Sequence, residues 1–312
     1  MDKKKEIKDQ KIQNIPEELK KIVIDALPDL LPILKKRIVQ SESDYIREPK
    51  DQPDSFLWEH TLQVAAVARQ ISLDEKKDPL VPVLAALFHD SGKFTAAGYH
   101  RDDIPEEIKA ADIAEEFLKK AGLKESQLNE IVKALKALYS EKARRSKTAD
   151  IVHDADFLVK AGCMGIAAFF TKETLRGNNL VHALSQSLSK ELTYAVALPE
   201  NMRTRAGKIL AKNKKERSLS FYSELIQELK DHGIARFEIR QVRLPCPWNP
   251  EKFLNIHLAV QETCPECEGD WTIDLNQSRG VKCEKLTATI RCQNCRWNEK
   301  IAFCLPEIGK QL

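Results

Sequence analysis

Aromatic residues are scarce in this chain of 312 residues, at 6%. Ala, Leu, Lys and Glu are abundant instead, a balance that favours helix. No apolar stretch reaches the roughly 18 residues of a membrane-spanning helix, so no membrane partner is expected. Met1–Gln10 is charged and holds no apolar h-region, so no secretory signal is expected, and the setting reads as cytoplasmic. Charge of one sign is also in short supply. A net charge of +3 is too small to demand nucleic acid by bulk attraction. Internal repeats and long low-complexity segments are absent. What remains, 42% hydrophobic and 31% charged residues, can bury a core and is far from a disordered composition.

Along the chain, residues 1–54 are rich in Lys and Glu and punctuated by Pro16, Pro28, Pro32, Pro49 and Pro53. They read as an N-terminal helical extension, with short helices over 17–26 and 29–40. From Phe56 the pattern is helical almost throughout. Leu57, His60, Val64, Val67 and Ile71 keep the spacing of one helix face, and Leu80 to Phe88 is nearly all apolar, as a buried helix is. Further helices are predicted over 108–121, 125–139, 148–170, 183–197, 204–212 and 219–230. After Gly233 the period becomes two, in RFEIRQVRL, DWTIDL, LTATIRC and KIAFCL. The predicted organisation is therefore an extension over 1–54, a helical domain over 55–235 and a small β domain over 236–312.

Three places carry chemistry. His60 lies on the apolar face of its helix. ALFHDSGKF ends an apolar helix in His89 and Asp90, two polar groups that are costly to bury unless something neutralises them. In IVHDADFLVKAG, Ile151, Asp154 and Leu158 share a helix face, which turns Asp154 towards the core, where a carboxylate needs a cation or a hydrogen-bond network. Two imidazoles and two carboxylates suit Mn²⁺, Fe²⁺, Ni²⁺, Co²⁺ or Zn²⁺ with positions open for water and substrate.

The ordered set H…HD…D on helices, with HDSGK after an apolar run, resembles the HD superfamily of metal-dependent phosphohydrolases. HDADFLVKAGCMGIAAFF resembles the family stretch DADRLDALGAIGIAR. MRTRAGKILAKNKKERSLSFYSELIQEL is similar to the C-terminal helices of a bacterial subgroup that acts on nucleoside triphosphates. The resemblance spans roughly residues 55–230. It implies a mainly α fold, an all-helical HD-domain bundle, in which His60, His89, Asp90 and Asp154 hold the metal. Asp156, less inward by helical phase, is the rival for the last position. Lys93 falls where the family places a phosphate-contacting lysine, so Lys93 and Asp90 are the expected catalytic residues. The implied activity is hydrolysis of a phosphate ester or anhydride in a small phosphorylated substrate, a nucleotide. One divalent transition metal is expected rather than two. Some members carry two further histidines between HD and the last Asp; His100 could be one, but near ALKALYSEK, where the second is expected, there is no His and Tyr139 is the closest polar residue. The subgroup's Arg soon after the first His is missing, since Arg69 lies too late. Basic help is offered by Arg203, Arg205, Lys208, Lys212, Lys214, Lys215 and Arg217, and a general base by Asp102, Asp103 or Glu107.

Of eight cysteines, all but Cys163 lie after residue 245. CPEC at Cys264 and Cys267 and CQNC at Cys292 and Cys295 form two knuckles suited to a tetrahedral structural zinc, with the intervening strands arranged as in a zinc ribbon. Cys283 and Cys304 read as buried strand thiols, with pairing as the alternative. Cys246 and Cys163 carry no chemical signal, and His257 reads as a strand residue. The other reading of the whole chain is a non-catalytic, metal-binding HD protein whose ribbon docks nucleic acid or a protein, through Trp248, Trp271, Trp297, Arg291 and Arg296.

Overall fold

A computed structural model gives the fold and describes residues 15–45, 55–94, 104–139, 145–247, 249–279 and 284–306. Among these residues there are ten helices and five strands. No helix among them is long and apolar enough to cross a membrane. The chain divides into two compact units. One is Met1–Val159 with Arg203–Gly207, and the other is Lys160–Met202 with Lys208–Leu312.

The first unit holds α1 (Glu17–Ala26), α2 (Leu30–Tyr45), α3 (Phe56–Asp74), α4 (Leu80–Phe88), α5 (Glu106–Lys120), α6 (Glu125–Ala137) and α7 (Lys147–Val159). Ser55 starts α3: its hydroxyl accepts from the Trp58 amide at 3.0 Å and satisfies one of the orphan donors of the first turn. Every residue of α4 from Pro82 to Phe88 is buried. A helix that is apolar all round has no solvent face to offer, and α4 packs against α1, α3, α5, α6 and α7. The chain that leaves its C-terminal end therefore emerges inside the unit, which is why the two polar residues that follow, His89 and Asp90, are buried.

The second unit holds α8 (Gly162–Leu175), α9 (Leu180–Asn201), most of α10 (Arg205–Asp231) and the strands β1 (Phe237–Cys246), β2 (Asn249–Gln261), β3 (Trp271–Arg279), β4 (Glu284–Cys292) and β5 (Asn298–Cys304). β1 and β2 form an antiparallel pair; β3, β4 and β5 form an antiparallel sheet in that order. Leu254, Ile256, Leu258 and Val260 share a core with Trp271, Leu286, Ile290 and Phe303. Ala259, on the opposite face of β2, joins Leu184, Leu188, Leu192, Tyr222 and Phe237 in another. Two hydroxyls of α9 satisfy amides of β2, with Ser189 Oγ accepting from Ala259 at 2.9 Å and Thr193 Oγ1 from His257 at 3.1 Å.

Three predictions of local structure are corrected. The helix expected over 148–170 is two helices, broken where Gly162 takes φ +69°. The helices expected over 204–212 and 219–230 are one, α10. Its polar middle turns to the start of α8, where Ser218 Oγ accepts from the Gly162 amide at 2.9 Å and Lys214 Nζ donates to the Ala161 carbonyl at 3.0 Å. β2 is not among the predicted strands, although Leu254, Ile256, Leu258 and Val260 alternate along it; both its faces are covered, so residues 256–260 are continuously buried.

Candidate metal centre

Among its described residues the first unit gathers a donor cluster. His60 comes from the middle of α3, His89 from the turn after α4, and Asp156 from α7; their ligand atoms all lie within 4.8 Å of one another. Asp156 Oδ1 is 3.1 Å from His60 Nε2 and 3.8 Å from His89 Nε2. Asp90 borders the same space, its Oδ2 being 3.6 Å from His60 Nε2 and 3.4 Å from His89 Nε2. Lys93 Nζ donates to that oxygen at 2.5 Å.

Asp154, expected as the fourth ligand, is not in the cluster. Its carboxylate is fully buried but occupied elsewhere. It accepts from the amide of Arg203 at 2.9 and 3.1 Å, and from the amide and hydroxyl of Thr204, both at 2.7 Å. His153 Nδ1 lies 3.0 Å from its Oδ1. Asp154 thus anchors the chain entering α10, and the carboxylate facing the histidines is Asp156, the rival residue. Of the remaining candidates, Glu107 is described as part of α5, whereas His100, Asp102, Asp103, Cys283 and Trp248 lie outside the described residues. The basic stretch is not one patch: the Arg203 side chain is only 8% exposed and Lys214 is tied to a carbonyl.

The chemistry of this donor set fits a divalent cation. His89 Nδ1 lies 2.7 Å from the Ala86 carbonyl, and as its donor it leaves Nε2 as the lone-pair nitrogen. That Nε2 is buried and has no hydrogen-bond partner. Burial lowers the pKa of His60 and outweighs Asp156, which keeps this ring in the neutral, ligating form. At His89 burial is overcome by Asp90, which pulls the pKa up, so this pocket stabilises positive charge at Nε2. Burial also works against Asp90, yet His89 and Lys93 hold its carboxyl well below the usual carboxylate range. Two buried carboxylates answered by one ammonium leave room for a cation.

Gly92 fixes the turn that carries Asp90 and Lys93. A Cβ there would stand 2.3 Å from the Glu106 carbonyl oxygen and 2.9 Å from the Ala110 amide nitrogen, both backbone atoms that cannot swing aside. Gly92→Ala is expected to cost about 1–3 kcal/mol by overpacking and to weaken metal binding. A thermal melt and a metal titration of the same sample check both; an unchanged melt with unchanged affinity would contradict the close approach.

The second unit holds the other donor set. Cys264 and Cys267 stand between β2 and β3, Cys292 ends β4 and Cys295 lies between β4 and β5; all four sulfurs lie within 4.8 Å of one another. The Cys264–Cys295 and Cys267–Cys292 sulfurs are 3.5 Å apart. Backbone amides reach the second knuckle, and against the Gly269 and Trp297 amides the neighbouring sulfurs and desolvation hold the Cys267 and Cys295 thiols up. Amides of Asn294 and Cys295 donate to Cys292 Sγ at 3.3 and 3.4 Å, and the Trp297 amide donates to Cys295 Sγ at 3.4 Å. Desolvation works against ionisation at Cys292, but the Asn294 and Cys295 amides bring its thiol down to about 7. Both sets of residues could hold a metal ion. Cys246 is buried, and Cys163 is exposed and free. Cys304, expected as a thiol, is disulfide-bonded. His257 is a buried strand residue, as expected.

Residues 57–160 match the HD domain family model. No curated protein matches the chain. Among solved structures, the chain is similar to an HD superfamily hydrolase from an uncultured Thermotogales bacterium, at 22% identity over 65% of this chain and 92% of that one, with a TM-score of 0.44. It is similar to YpgQ of Bacillus subtilis, solved in complex with ADP, at 21% identity over 64% and 95% of the two chains, with a TM-score of 0.44. An HD-superfamily hydrolase from Bacillus thuringiensis matches at 19% identity over 64% and 97%, with a TM-score of 0.44. The matched segment holds His60, His89, Asp90 and Asp156, and the cysteines lie beyond it. Residues 57–160 of this chain are therefore an HD domain, followed in the C-terminal region by a four-cysteine cluster that fits a zinc ribbon.

Proposed function

We propose that this protein is a metal-dependent phosphohydrolase that cleaves a phosphate ester or anhydride of a nucleotide. The observation that carries the reading is the buried, unpartnered His89 Nε2 beside Asp90, Asp156 and His60. These four residues would hold one divalent ion. When bound, such an ion supplies Lewis acidity to the phosphate and lowers the pKa of a water molecule. The chain's own residues do the rest. His60 and His89 present ring nitrogens from two different helical elements, so their separation is fixed by the packing of α3 on α4. Asp90 holds Lys93 Nζ at the edge of the cluster, where an ammonium can take charge from phosphate oxygens as the bond to the leaving group breaks. The buried walls of α4 keep bulk water from the back of the site. The nucleotide assignment rests on the likeness of residues 202–229 to the nucleotide-acting subgroup.

We place structural zinc on Cys264, Cys267, Cys292 and Cys295, and the protein in the cytoplasm, where these four thiols stay reduced. The bond at Cys304 runs against that compartment. Docking of nucleic acid through the ribbon has no charge bias behind it: residues 236–312 carry eleven Lys and Arg against ten Asp and Glu.

The test compares wild type, Asp90→Ala and the double variant Cys264→Ser, Cys267→Ser. Metal content would be measured together with hydrolysis of nucleoside mono- and triphosphates and a generic phosphodiester in Mn²⁺, Ni²⁺, Co²⁺ or Mg²⁺. Expected are turnover lost in Asp90→Ala and one zinc lost only in the cysteine variant. A wild type that binds metal and turns over nothing on this panel would remove the support for an enzyme.

A further inference from the structure

The two oxygens of Asp156 face different ways. Oδ1 points to the histidines, 3.1 Å from His60 Nε2. Oδ2 accepts from the hydroxyl of Tyr139 at 2.8 Å. Tyr139 follows the end of α6 by two residues and is 42% exposed, while the carboxylate it reaches belongs to a residue that is 3% exposed. The side chain sends its one polar atom inward to the donor cluster. The backbone that carries it is pinned as well. The Leu138 carbonyl accepts from Arg203 Nη1 at 3.2 Å, and the Arg203 amide donates to Asp154 at 2.9 Å. Asp154 and Asp156 sit on the same helix, so these bonds run from α7 through Arg203, Leu138 and Tyr139 and return to α7. Arg203, 8% exposed, is poorly hydrated and so committed to its fixed acceptors.

We infer that Tyr139 is a positioning residue for Asp156: its hydroxyl holds Oδ2 and thereby turns Oδ1 to the histidine pair. The inference rests on the metal centre proposed above. Without the hydroxyl, Oδ2 loses the donor that orients it and the carboxylate is held less firmly, so part of the ordering must be supplied at the moment of metal binding. Outer partners of metal ligands contribute about 10–100-fold in affinity. The Arg203 contact places the tyrosine and does not touch the ligands.

Calorimetric titration of the metal-stripped full chain with Mn²⁺, Co²⁺ and Ni²⁺ tests this, alongside thermal melts without metal. Tyr139→Phe keeps the ring and removes only the hydroxyl. It is expected to weaken binding about 10-fold or more with the metal-free melting midpoint unchanged. Tyr139→Leu should weaken binding to the same degree, because the hydroxyl and not the ring is what acts. Tyr139→Phe binding as tightly as wild type would overturn the inference and leave the metal centre standing. Affinity that falls only in Tyr139→Leu, in step with its melting midpoint, would reduce Tyr139 to a packing role and overturn it too. A wild type that binds none of the three metals would overturn the centre itself, and the inference with it.

Discussion

Asp156→Asn is expected to abolish hydrolysis while leaving the metal-free protein as stable as wild type. The substitution keeps the shape of the side chain, and the amide oxygen can still accept from Tyr139. It removes the negative charge that stands 3.1 Å from His60 and 3.8 Å from His89. Loss of an outer partner already costs about 10–100-fold in metal affinity, so loss of a ligand charge should cost about 100-fold or more. Turnover should fall about 10³-fold at limiting metal, equivalent to roughly 4 kcal/mol of barrier. Without metal the variant removes one of two buried carboxylates that border the same space, so its melting midpoint should hold or rise. Metal-dependent turnover and a metal-free melt separate these effects. Undiminished turnover would show that the last ligand is another residue.

Asp154→Ala should do the reverse. The carboxylate of Asp154 satisfies two backbone amides and the Thr204 hydroxyl at the entry to α10. Each buried donor left without a partner costs about 1–3 kcal/mol, and relaxation will recover part of the sum. A net loss of about 3 kcal/mol is expected, read as a fall of roughly 10 °C in melting midpoint for a unit of this size. Molecules that remain folded should still bind metal near wild-type affinity. Gly207→Ala should destabilise by the same route, because a Cβ at that position would stand 2.3 Å from Asp154 Oδ2 and 2.7 Å from Thr204 Oγ1. If Asp154→Ala melts like wild type but binds no metal, the roles assigned to the two aspartates are exchanged.

That pair also shows what the sequence could and could not reveal. Asp154 and Asp156 are both buried, 0% and 3% exposed, and helical phase turns one of them inward with the apolar residues. Burial alone does not distinguish a carboxylate that meets a cation from one that meets amides. The residues that decide are Arg203 and Thr204, about fifty positions later, and no local pattern announces them. His60, His89 and Asp90 were legible because an apolar helix that ends in two polar residues must bury them, and His60 shares a helix face with Leu57 and Val64. Lys93 was legible by position, though not its bond to Asp90. Tyr139 could be noticed only as the nearest polar residue where a histidine was sought.

In the C-terminal region the two C-x-x-C knuckles carried their own geometry, since two residues between cysteines allow one tight turn. The change of period near residue 235 correctly marked where helices give way to strands. Packing draws its boundary elsewhere: α8, α9 and most of α10 belong to the compact unit of the strands. Ser189 and Thr193, which bond to β2, read as ordinary polar positions of an amphipathic helix. Domain boundaries at 54 and 235 therefore stand as a proposal about composition, to be tested by limited proteolysis.

The central claim is the identity of the metal ligands, and a crystal of the full chain soaked in Mn²⁺ tests it most directly through anomalous scattering at the manganese edge. One peak is expected in the first unit, within about 2.0–2.3 Å of ligand atoms of His60, His89, Asp90 and Asp156, with Asp154 still bound to Arg203 and Thr204. A peak on Asp154, or no peak at His89 in a crystal whose dissolved protein hydrolyses a nucleotide in Mn²⁺, would contradict it.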